Sequence, residues 1–446
     1  MKIGFIAMSG IRACDAELLE LGLTLPGFVE RSKQIASLPS LGLLTLAGIT
    51  PKHHERIYLE IPDLSAEGDL PDFDLVVISS FSAQINEGYE LALQYRAKGT
   101  PVVMGGTHVT ALPNEAKKYA TSVVVGEGEP IWLELLNDAE KGCLKLLYDG
   151  RKHNFSLNDA PMPAFELLDI SKYNRITVQT SRGCPHQCEF CAGSNLISSC
   201  YKQKPVEKVL AEIDRICAIW PHPFIEFADD NSFVNKSYWK QLLPELKKRH
   251  IKWFTETDLS VAEDSDLLQL MRESGCAQVL IGFESPTAAP LTGLEKNSNW
   301  KRAQFNRYKQ AIRTIQDHGI TVNGCFIVGL DGQDTSVFND IYTFVRDSEL
   351  YEVQITILTP FPGTVLYDRL KQTNRLIEPT NWKKCTLFDI NFRPQGMTAE
   401  ELRAGFHALT KKLYSTAFTK HRRDTFKKNF RTNRKRTTTK QLAHAV

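Results

Sequence analysis

The sequence predicts an α/β protein with two successive parallel sheets and a helical, basic C-terminal segment. Three observations support this fold class. Short β-branched runs alternate with helical patterns along residues 1–150, the same order recurs six times along residues 173–390, and basic residues accumulate after residue 410. Strands separated by helices form parallel sheets, because the helix returns the chain to the edge of the sheet where the previous strand began.

Residues 1–150 are predicted to form a doubly wound, Rossmann-like domain. Predicted strands cover residues 2–8, 56–61, 74–79, 101–104 and 122–125, and predicted helices cover residues 41–48, 86–98, 115–119 and 130–137. Ligands of such sheets bind beyond the carboxyl ends of the strands. The loops at those ends contain one serine and four glycines, and glycine lets a backbone approach a ligand closely. These residues are Ser79, Gly105, Gly106, Gly126 and Gly128.

The rest of the chain is divided by its proline and helix patterns. Residues 10–37 are an insertion with a short helical pattern at residues 18–28, and we expect a packing segment, with the lining of a substrate entrance as the alternative. Pro161 and Pro163 mark residues 151–172 as a linker, because proline lacks an N–H donor and favours extended backbone. Residues 391–446 form the C-terminal segment. The strands of the second section are predicted at residues 176–180, 224–228, 253–257, 279–283, 321–328 and 354–358.

Three cysteines follow the first of these strands in a C-x3-C-x2-C arrangement, Cys184, Cys188 and Cys191. Three thiolates on one tight loop can bind three irons of a [4Fe–4S] cluster, which normally takes four cysteines. No fourth cysteine stands at cluster spacing, so one iron would stay open to an exogenous ligand. Zinc is the alternative, with His186 as its fourth ligand, although zinc favours paired C-x2-C units.

Composition restricts the class of protein. With 42% hydrophobic and 24% charged residues over 446 positions, the chain is expected to be globular, with two or three domains. No apolar run approaches the roughly 18 residues that indicate a membrane-spanning helix. Ten dispersed cysteines favour a reducing compartment over a disulfide framework. We therefore expect a cytoplasmic protein.

The formal charge of +2 is unevenly distributed. Residues 411–446 contain 12 basic side chains and one acidic side chain, for +11, whereas the other 410 residues contain 42 basic and 51 acidic side chains, for −9. Phe426 and Phe430 alternate with the basic residues. Such a stretch attracts anionic lipid, at about 1 kcal/mol per basic residue near the surface. The interpretation that we prefer is a solvated and partly disordered tail.

The cysteine pattern, with Phe190 directly before the third cysteine, resembles the radical S-adenosylmethionine (SAM) enzymes. In that family a partial (β/α)6 barrel carries the cluster, and the amino-acid end of SAM binds the open iron. The resemblance implies that the reduced cluster cleaves SAM and generates a 5′-deoxyadenosyl radical. It also implies an electron donor such as flavodoxin or ferredoxin.

The same resemblance implies SAM contacts at the ends of the barrel strands, in segments that include Gly282-Phe283-Glu284-Ser285 and residues 359–364, TPFPGT. For the carboxylates the alternative is a helix cap or a surface charge, and Asp230 and Asn231 are candidates to cap the helix after their strand. The residues that the resemblance assigns to SAM are Phe190, Asp229, Glu256, Glu284, Gly329 and Pro360.

A second resemblance involves the first domain. The segments PSLGLLTLAG (39–48), VVMGGTHVTALPNEA (102–116) and VVVGEGEP (123–130) occur in order and resemble the N-terminal domain of cobalamin (B12)-binding radical SAM proteins. The resemblance implies cobalamin at the serine and glycine loops named above. The Asp-x-His-x-x-Gly signature of a cobalt-ligating histidine is absent, and His108 is interpreted as a loop residue. The alternative is a Rossmann-like domain that only covers the barrel.

Together the resemblances imply a cobalamin-dependent methyltransferase that acts on an unactivated carbon of a small molecule or lipid. A cobalamin-containing radical SAM cyclase or rearrangement enzyme is one alternative. A non-catalytic iron–sulfur redox sensor, from another class, is the second. Nucleic acid is not expected as a partner, and peripheral contact with an anionic membrane through the basic tail is left open.

Overall fold

The structure is a computed structural model that describes residues 1–20, 38–197 and 200–443, without the side chains of residues 194, 195 and 434–443. The described residues divide into two compact units. The first contains the chain up to Asp230 together with Thr359–Phe392, and the second contains Asn231–Leu358 and the chain from Arg393 onward. Strands and helices are numbered along the whole chain.

The first unit contains a sheet of six parallel strands in the order β2-β1-β3-β4-β5-β6. The chain moves from β1 to β2 on one side and then to β3 on the other, so the strand order reverses at β1, as in a doubly wound sheet. This confirms the predicted Rossmann-like fold. The strands are β1 Lys2–Met8, β2 Glu55–Ile61, β3 Leu75–Ser80, β4 Val102–Gly105, β5 Ser122–Val125 and β6 Leu147–Asp149. Sequence patterns missed β6, because it is three residues long and lies among charged residues.

Helices cover this sheet and bury its apolar side chains. Phe5 and Val77 of the sheet, Leu43 of α2 and Trp132 of α6 belong to one buried core. In the insertion the structure describes α1, and the rest of the predicted helix at residues 18–28 lies outside the described residues. The helices are α1 Ala16–Glu20, α2 Leu41–Ile49, α3 Ile85–Ala97, α4 Thr107–Ala111, α5 Pro113–Ala116 and α6 Trp132–Glu140.

The remainder of the first unit surrounds the cysteines. Strands β7 and β10 pair in parallel, with Ile176 opposite Ile225, and the short strands β8 and β9 pair antiparallel. The elements are β7 Ile176–Val178, β8 Ser181–Arg182, α7 Ala192–Leu196, β9 Lys202–Gln203, α8 Val206–Ile219, β10 Phe224–Phe227 and, later in the chain, α14 Val365–Gln372.

The second unit contains four parallel strands that pair in sequence order. They are β11 Lys252–Thr257, β12 Cys276–Glu284, β13 Thr321–Val328 and β14 Glu352–Ile357, close to the predicted bounds. Cys276 is the first residue of β12 and is buried. The helices are α9 Lys236–Lys248, α10 Ser265–Glu273, α11 Trp300–Gln304, α12 Tyr308–Asp317, α13 Val337–Asp347, α15 Ala399–Leu413 and α16 Thr416–Ala443.

The basic tail is a helix, and the prediction of a solvated, partly disordered tail is wrong for residues 416–433. Phe418, Arg422, Phe426 and Phe430 are spaced by four residues and therefore share one face of α16. Arg422 is 2% exposed and donates to Glu352 at 3.1 Å, and the ring of Phe426 packs edge-on against a tyrosine 5.1 Å away. Phe426 and Phe430 are half-buried, and Phe430 packs against Arg272 of α10. None of the described helices is both long and apolar enough to cross a membrane.

Candidate active site

The three cysteines lie on the loop between β8 and β9, whose antiparallel pairing closes the base of the loop. Cys188 is buried, whereas Cys184 and Cys191 are half-buried. The Cys191 N–H donates to the Cys188 carbonyl at 3.1 Å, which tightens the second half of the cysteine loop. The structure therefore brings the three predicted metal ligands onto one closed loop.

Asp229, which follows β10, fixes the chain just before the cysteine loop. Its carboxylate is 3% exposed and accepts from the Thr180 N–H at 2.7 Å, the Thr180 hydroxyl at 2.5 Å and the Ser181 N–H at 2.9 Å. A carboxylate that accepts several hydrogen bonds is stabilised in its charged form. The resemblance assigns Asp229 to the SAM site. These hydrogen bonds show that it also holds the backbone just before the cysteine loop.

Asp230 contacts both ends of the cysteine loop. One oxygen accepts from the Gly183 N–H at 2.9 Å, and the other lies 2.8 Å from the position that a Cβ would occupy on Gly193. Burial raises the pKa of Asp230 above its ordinary value, although the Gly183 hydrogen bond opposes this. Asp230 is not a helix cap: Asn231 occupies the N-cap position of the short 3-10 helix Ser232–Val234, without a side-chain capping bond, and Asn235 caps α9.

A second contact braces the middle of the loop. Arg369 of α14 donates to both carboxylate oxygens of Glu189, at 2.6 and 3.0 Å, in the bidentate arrangement that fixes both partners. The next residue, Phe190, is half-buried. Pro360 is buried in the loop before α14, and the Cβ position of Gly363 in that loop is 2.9 Å from Leu196 of α7. The structure thus places Phe190 and the Pro360 loop in the surroundings of the cysteines.

The cysteines do not form a convergent site for one zinc ion. Among the described residues, the one group of three potential ligand atoms within 4.8 Å of one another belongs to His53, His54 and Glu140. A tetrahedral zinc requires such convergence, whereas the thiolates of a [4Fe–4S] cluster bind different irons. The arrangement therefore fits a cluster better than zinc.

A cavity of about 440 Å³ opens at the carboxyl ends of β1, β3, β4 and β5. It is lined by all of the residues that the resemblance assigns to cobalamin: Ser79, Gly105, Gly106, Gly126 and Gly128. Gly106 has φ +104° and ψ −175°, a conformation that is essentially restricted to glycine. A Cβ on Gly126 would lie 2.6 Å from Arg151. The backbone itself therefore shapes this wall of the cavity.

The other lining groups suit a large organic ligand. Apolar walls come from Leu46, Val124 and Trp132, and Phe81 lines the cavity while 52% exposed. Thr177 of β7 also lines it, and its buried hydroxyl has no hydrogen-bond partner among the residues that the structure describes. Binding sites for cofactors are typically apolar with a few polar groups that fix orientation. The cavity fits a ligand such as cobalamin in these respects.

Arg182 connects this cavity with the cysteine loop. It lines the cavity, stands two residues before Cys184 and donates to Glu127 at 2.9 Å and to Glu129 at 2.5 Å. Lys202 donates to the second oxygen of Glu127 at 2.6 Å. Burial alone would lower the pKa of the Arg182 guanidinium. The carboxylates of Glu129 and Glu127 have the larger effect and raise that pKa above its ordinary value.

His108 lies in helix α4, not in a loop as predicted, and it is 1% exposed. Its two ring nitrogens lie 3.0 Å from the Ser82 hydroxyl and 3.3 Å from the Glu115 carboxylate. The residue does not line the cavity. With both nitrogens occupied, His108 is not available as a cobalt ligand, in agreement with the missing signature.

In the second unit, Glu256 and Glu284 lie near the ends of β11 and β12. Glu284 is buried and forms an ion pair with Lys301 at 2.9 Å, and Glu256 is exposed. Burial raises the pKa of the Cys325 thiol on β13, and the charges of Glu284 and Glu256 add to this. Both carboxylates are therefore close enough to the Cys325 thiol to influence its pKa.

Gly329 follows β13 with φ +91°. Its N–H and that of Leu330 both donate to the side-chain oxygen of Gln333, at 2.8 and 3.1 Å. Both N–H donors are therefore already used inside the protein, and the carbonyl oxygen of Gly329 is the backbone group left for the SAM contact that the resemblance assigns to this residue.

Sequence reasoning missed Thr177, Arg182, Glu127 and Lys301. Thr177 and Arg182 both stand a few residues before Cys184, and this closeness to the cysteine motif could have identified them as site residues. Glu127 lies between two predicted glycines, where a charged residue in a ligand loop was also a signal. Lys301 lies 17 positions after Glu284, and no spacing pattern links them.

Comparison with known proteins agrees with this geometry. Residues 178–345 match the family model of the radical SAM superfamily, and residues 364–445 match a domain of unknown function, DUF4070. The bacteriochlorophyllide d C-12(1)-methyltransferase of Chlorobaculum tepidum is 27% identical over 391 residues, which are 85% of this chain and 83% of that protein. The chain therefore contains a radical SAM domain.

Two further proteins support this assignment. The hopanoid C-2 methylase of Rhodopseudomonas palustris is 28% identical over 359 residues, 78% of this chain and 67% of the relative. The structure of TsrM, a radical SAM methyltransferase from Kitasatospora setae with cobalamin and a [4Fe–4S] cluster bound, covers 98% of this chain and 100% of its own, with a TM-score of 0.62 and 14% identity. At that identity the likeness shows the fold, and it confirms the predicted two-part architecture.

Proposed function

We propose that this protein is a cobalamin-dependent radical SAM C-methyltransferase that acts on an unactivated carbon of a small molecule. The observation that carries the proposal is the cavity of the first unit, which collects all five residues expected at cobalamin and shares Arg182 with the base of the cysteine loop. The names of the relatives, which are methyltransferases, support methylation.

When bound, a [4Fe–4S] cluster with SAM and cobalamin supply radical generation and methyl transfer. The protein's part is to bind and orient these groups. Cys184, Cys188 and Cys191 would hold the cluster, and three protein ligands would leave room for SAM to bind it. The glycines let the backbone approach the corrin, and the Thr177 hydroxyl is free to donate to it. The apolar walls exclude water from the cavity.

For SAM we propose contacts from Phe190, Glu256, Glu284 and the Pro360 loop. Asp229 retains its proposed place in the SAM site, where the structure supports an indirect action through Thr180 and Ser181. Gly329 retains a place through its carbonyl oxygen and its close backbone, because its N–H is used by Gln333.

The test is anaerobic reconstitution of the full chain with iron, sulfide and hydroxocobalamin. We expect an absorbance band of a corrinoid that co-elutes with the protein, and 5′-deoxyadenosine when SAM and dithionite are added. Cys188→Ala is expected to abolish 5′-deoxyadenosine, and Cys143→Ala, at an exposed cysteine outside the site, is the matched control.

Different failures identify different errors. An intact cluster without any 5′-deoxyadenosine would contradict the enzymatic proposal. It would favour the alternative of a non-catalytic redox sensor. Cleavage of SAM without corrinoid binding would contradict the cobalamin part alone. With a substrate in hand, a product that lacks the added CH2 would favour cyclisation or rearrangement over methylation.

A further inference from the structure

The backbone at Glu284 is strained. Its φ is +61°, and the Ser285 N–H donates to the Phe283 carbonyl at 2.7 Å, so Glu284 is the central residue of a γ-turn. A γ-turn with positive φ is rare, and a non-glycine residue held in such a region costs about 1–3 kcal/mol. The pairing of β12 with β13 also shifts register between Gly282 and Glu284. Such irregularities re-aim a side chain.

Several contacts of the same unit hold this turn. Lys301 donates to the Gly282 carbonyl at 3.0 Å and pairs with one oxygen of Glu284 at 2.9 Å. A Cβ on Gly282 would lie 2.4 Å from that oxygen, so glycine is required for the carboxylate to fold back. The Tyr308 hydroxyl donates to the Phe283 carbonyl at 3.1 Å. The strain is therefore maintained by an arrangement built around the carboxylate.

The second oxygen of Glu284 has no hydrogen-bond partner in the described part of the chain, although only 9% of the side chain is exposed. This oxygen is not among the buried side-chain atoms that lack a partner, so it stays accessible from the solvent side and a ligand can reach it. An ion pair that served stability alone would not require strained backbone or leave an oxygen open. The open oxygen instead suits a donor from a bound ligand.

We propose that Lys301 is a positioning residue that holds Glu284 so that its open oxygen accepts a hydrogen bond from SAM. This inference rests on the proposed function and deepens it, because it names a residue that acts on SAM through another. Arginine can replace lysine in part, since it keeps the charge and the donors, whereas methionine keeps only the apolar stem.

The test is a double-mutant cycle on reconstituted full-length protein, with SAM affinity measured by equilibrium dialysis. Lys301→Met is expected to weaken SAM binding about tenfold, because Glu284 loses the cation that holds its carboxylate in place. Lys301→Arg is expected to recover most of the affinity. Lys309→Met, at an exposed lysine of α12, is the matched control.

Glu284→Gln keeps the size of the side chain and serves if Lys301→Met does not fold. It is expected to weaken binding to a similar extent, and the double variant should be no weaker than either single variant. Fully additive losses, or wild-type affinity in Lys301→Met, would overturn the role of Lys301. Absence of SAM binding and of 5′-deoxyadenosine in the wild-type protein would overturn the proposed function itself.

Discussion

Asp229 and Glu284 are both buried carboxylates that follow parallel strands, yet their hydrogen bonds differ. Asp229 accepts three bonds from two neighbouring residues of its own unit, whereas Glu284 has one ion pair and one open oxygen on a strained turn. A carboxylate whose acceptors are filled by backbone stabilises a loop. One that keeps an acceptor free at the cost of strain is arranged for a ligand.

Removing Asp229 is the strongest way to test this difference. Asp229→Ala leaves the Thr180 and Ser181 donors buried without an acceptor, and we expect a loss of about 3–5 kcal/mol in unfolding free energy. Urea unfolding of the apoprotein and iron content per chain measure the effect. Glu284→Gln should retain iron and lose SAM affinity instead. Equal loss of iron in both variants would remove the distinction.

Asp230 should behave like Asp229 with a smaller effect. Asp230→Ala removes the acceptor of the Gly183 N–H and opens space beside Gly193. We expect a loss of about 1–3 kcal/mol in unfolding free energy and partial iron occupancy after reconstitution. Asp214→Ala, at a charged residue of α8, serves as the comparison variant. Full iron occupancy with unchanged stability would show that Asp230 does not order the loop.

The comparison also includes the cavity, where glycine backbone after β4, and not a carboxylate, lines the site. Gly106→Ala places a side chain in a conformation restricted to glycine, which costs about 1–3 kcal/mol. We expect weaker retention of corrinoid on gel filtration while iron content stays unchanged. Gly68→Ala, where a Cβ meets nothing within 4 Å, is the matched control. Corrinoid retention equal to that of the wild type would argue against the cavity as the site.

The smallest effect is expected for the chemical reactivity of Cys385, a thiol outside the site. Burial raises the pKa of Cys385 to about 12, so only about one thiol in ten thousand is ionised at pH 8. Cys385 should resist iodoacetamide in the folded protein, with reactivity that rises as pH increases, and mass spectrometry of peptides would show this. Rapid modification at pH 8 would mean that the segment opens.

Much of the fold followed from periodicity and from two motifs. The strands of both sections, the cysteine loop and the five cavity residues were predictable, because apolar runs and glycine positions are local signals. The filled acceptors of Asp229 and the pairing of Lys301 with Glu284 were not, because they depend on residues brought together by folding. The packing of α16 was predictable in principle from the four-residue spacing of its apolar face, but the basic composition obscured that spacing.

Strands β8 and β9 have a further consequence for how the cysteine loop tolerates change. They fix residues 182 and 202 opposite each other, so residues 183–201 form a closed segment whose ends stay together. Within it, Gly193 lies against Asp230 and Leu196 lies against Gly363, so the stretch after the third cysteine is held at two further points. An insertion between Cys191 and Leu196 would displace these contacts and, with them, the third cysteine. The first part of the segment therefore tolerates little change in its length.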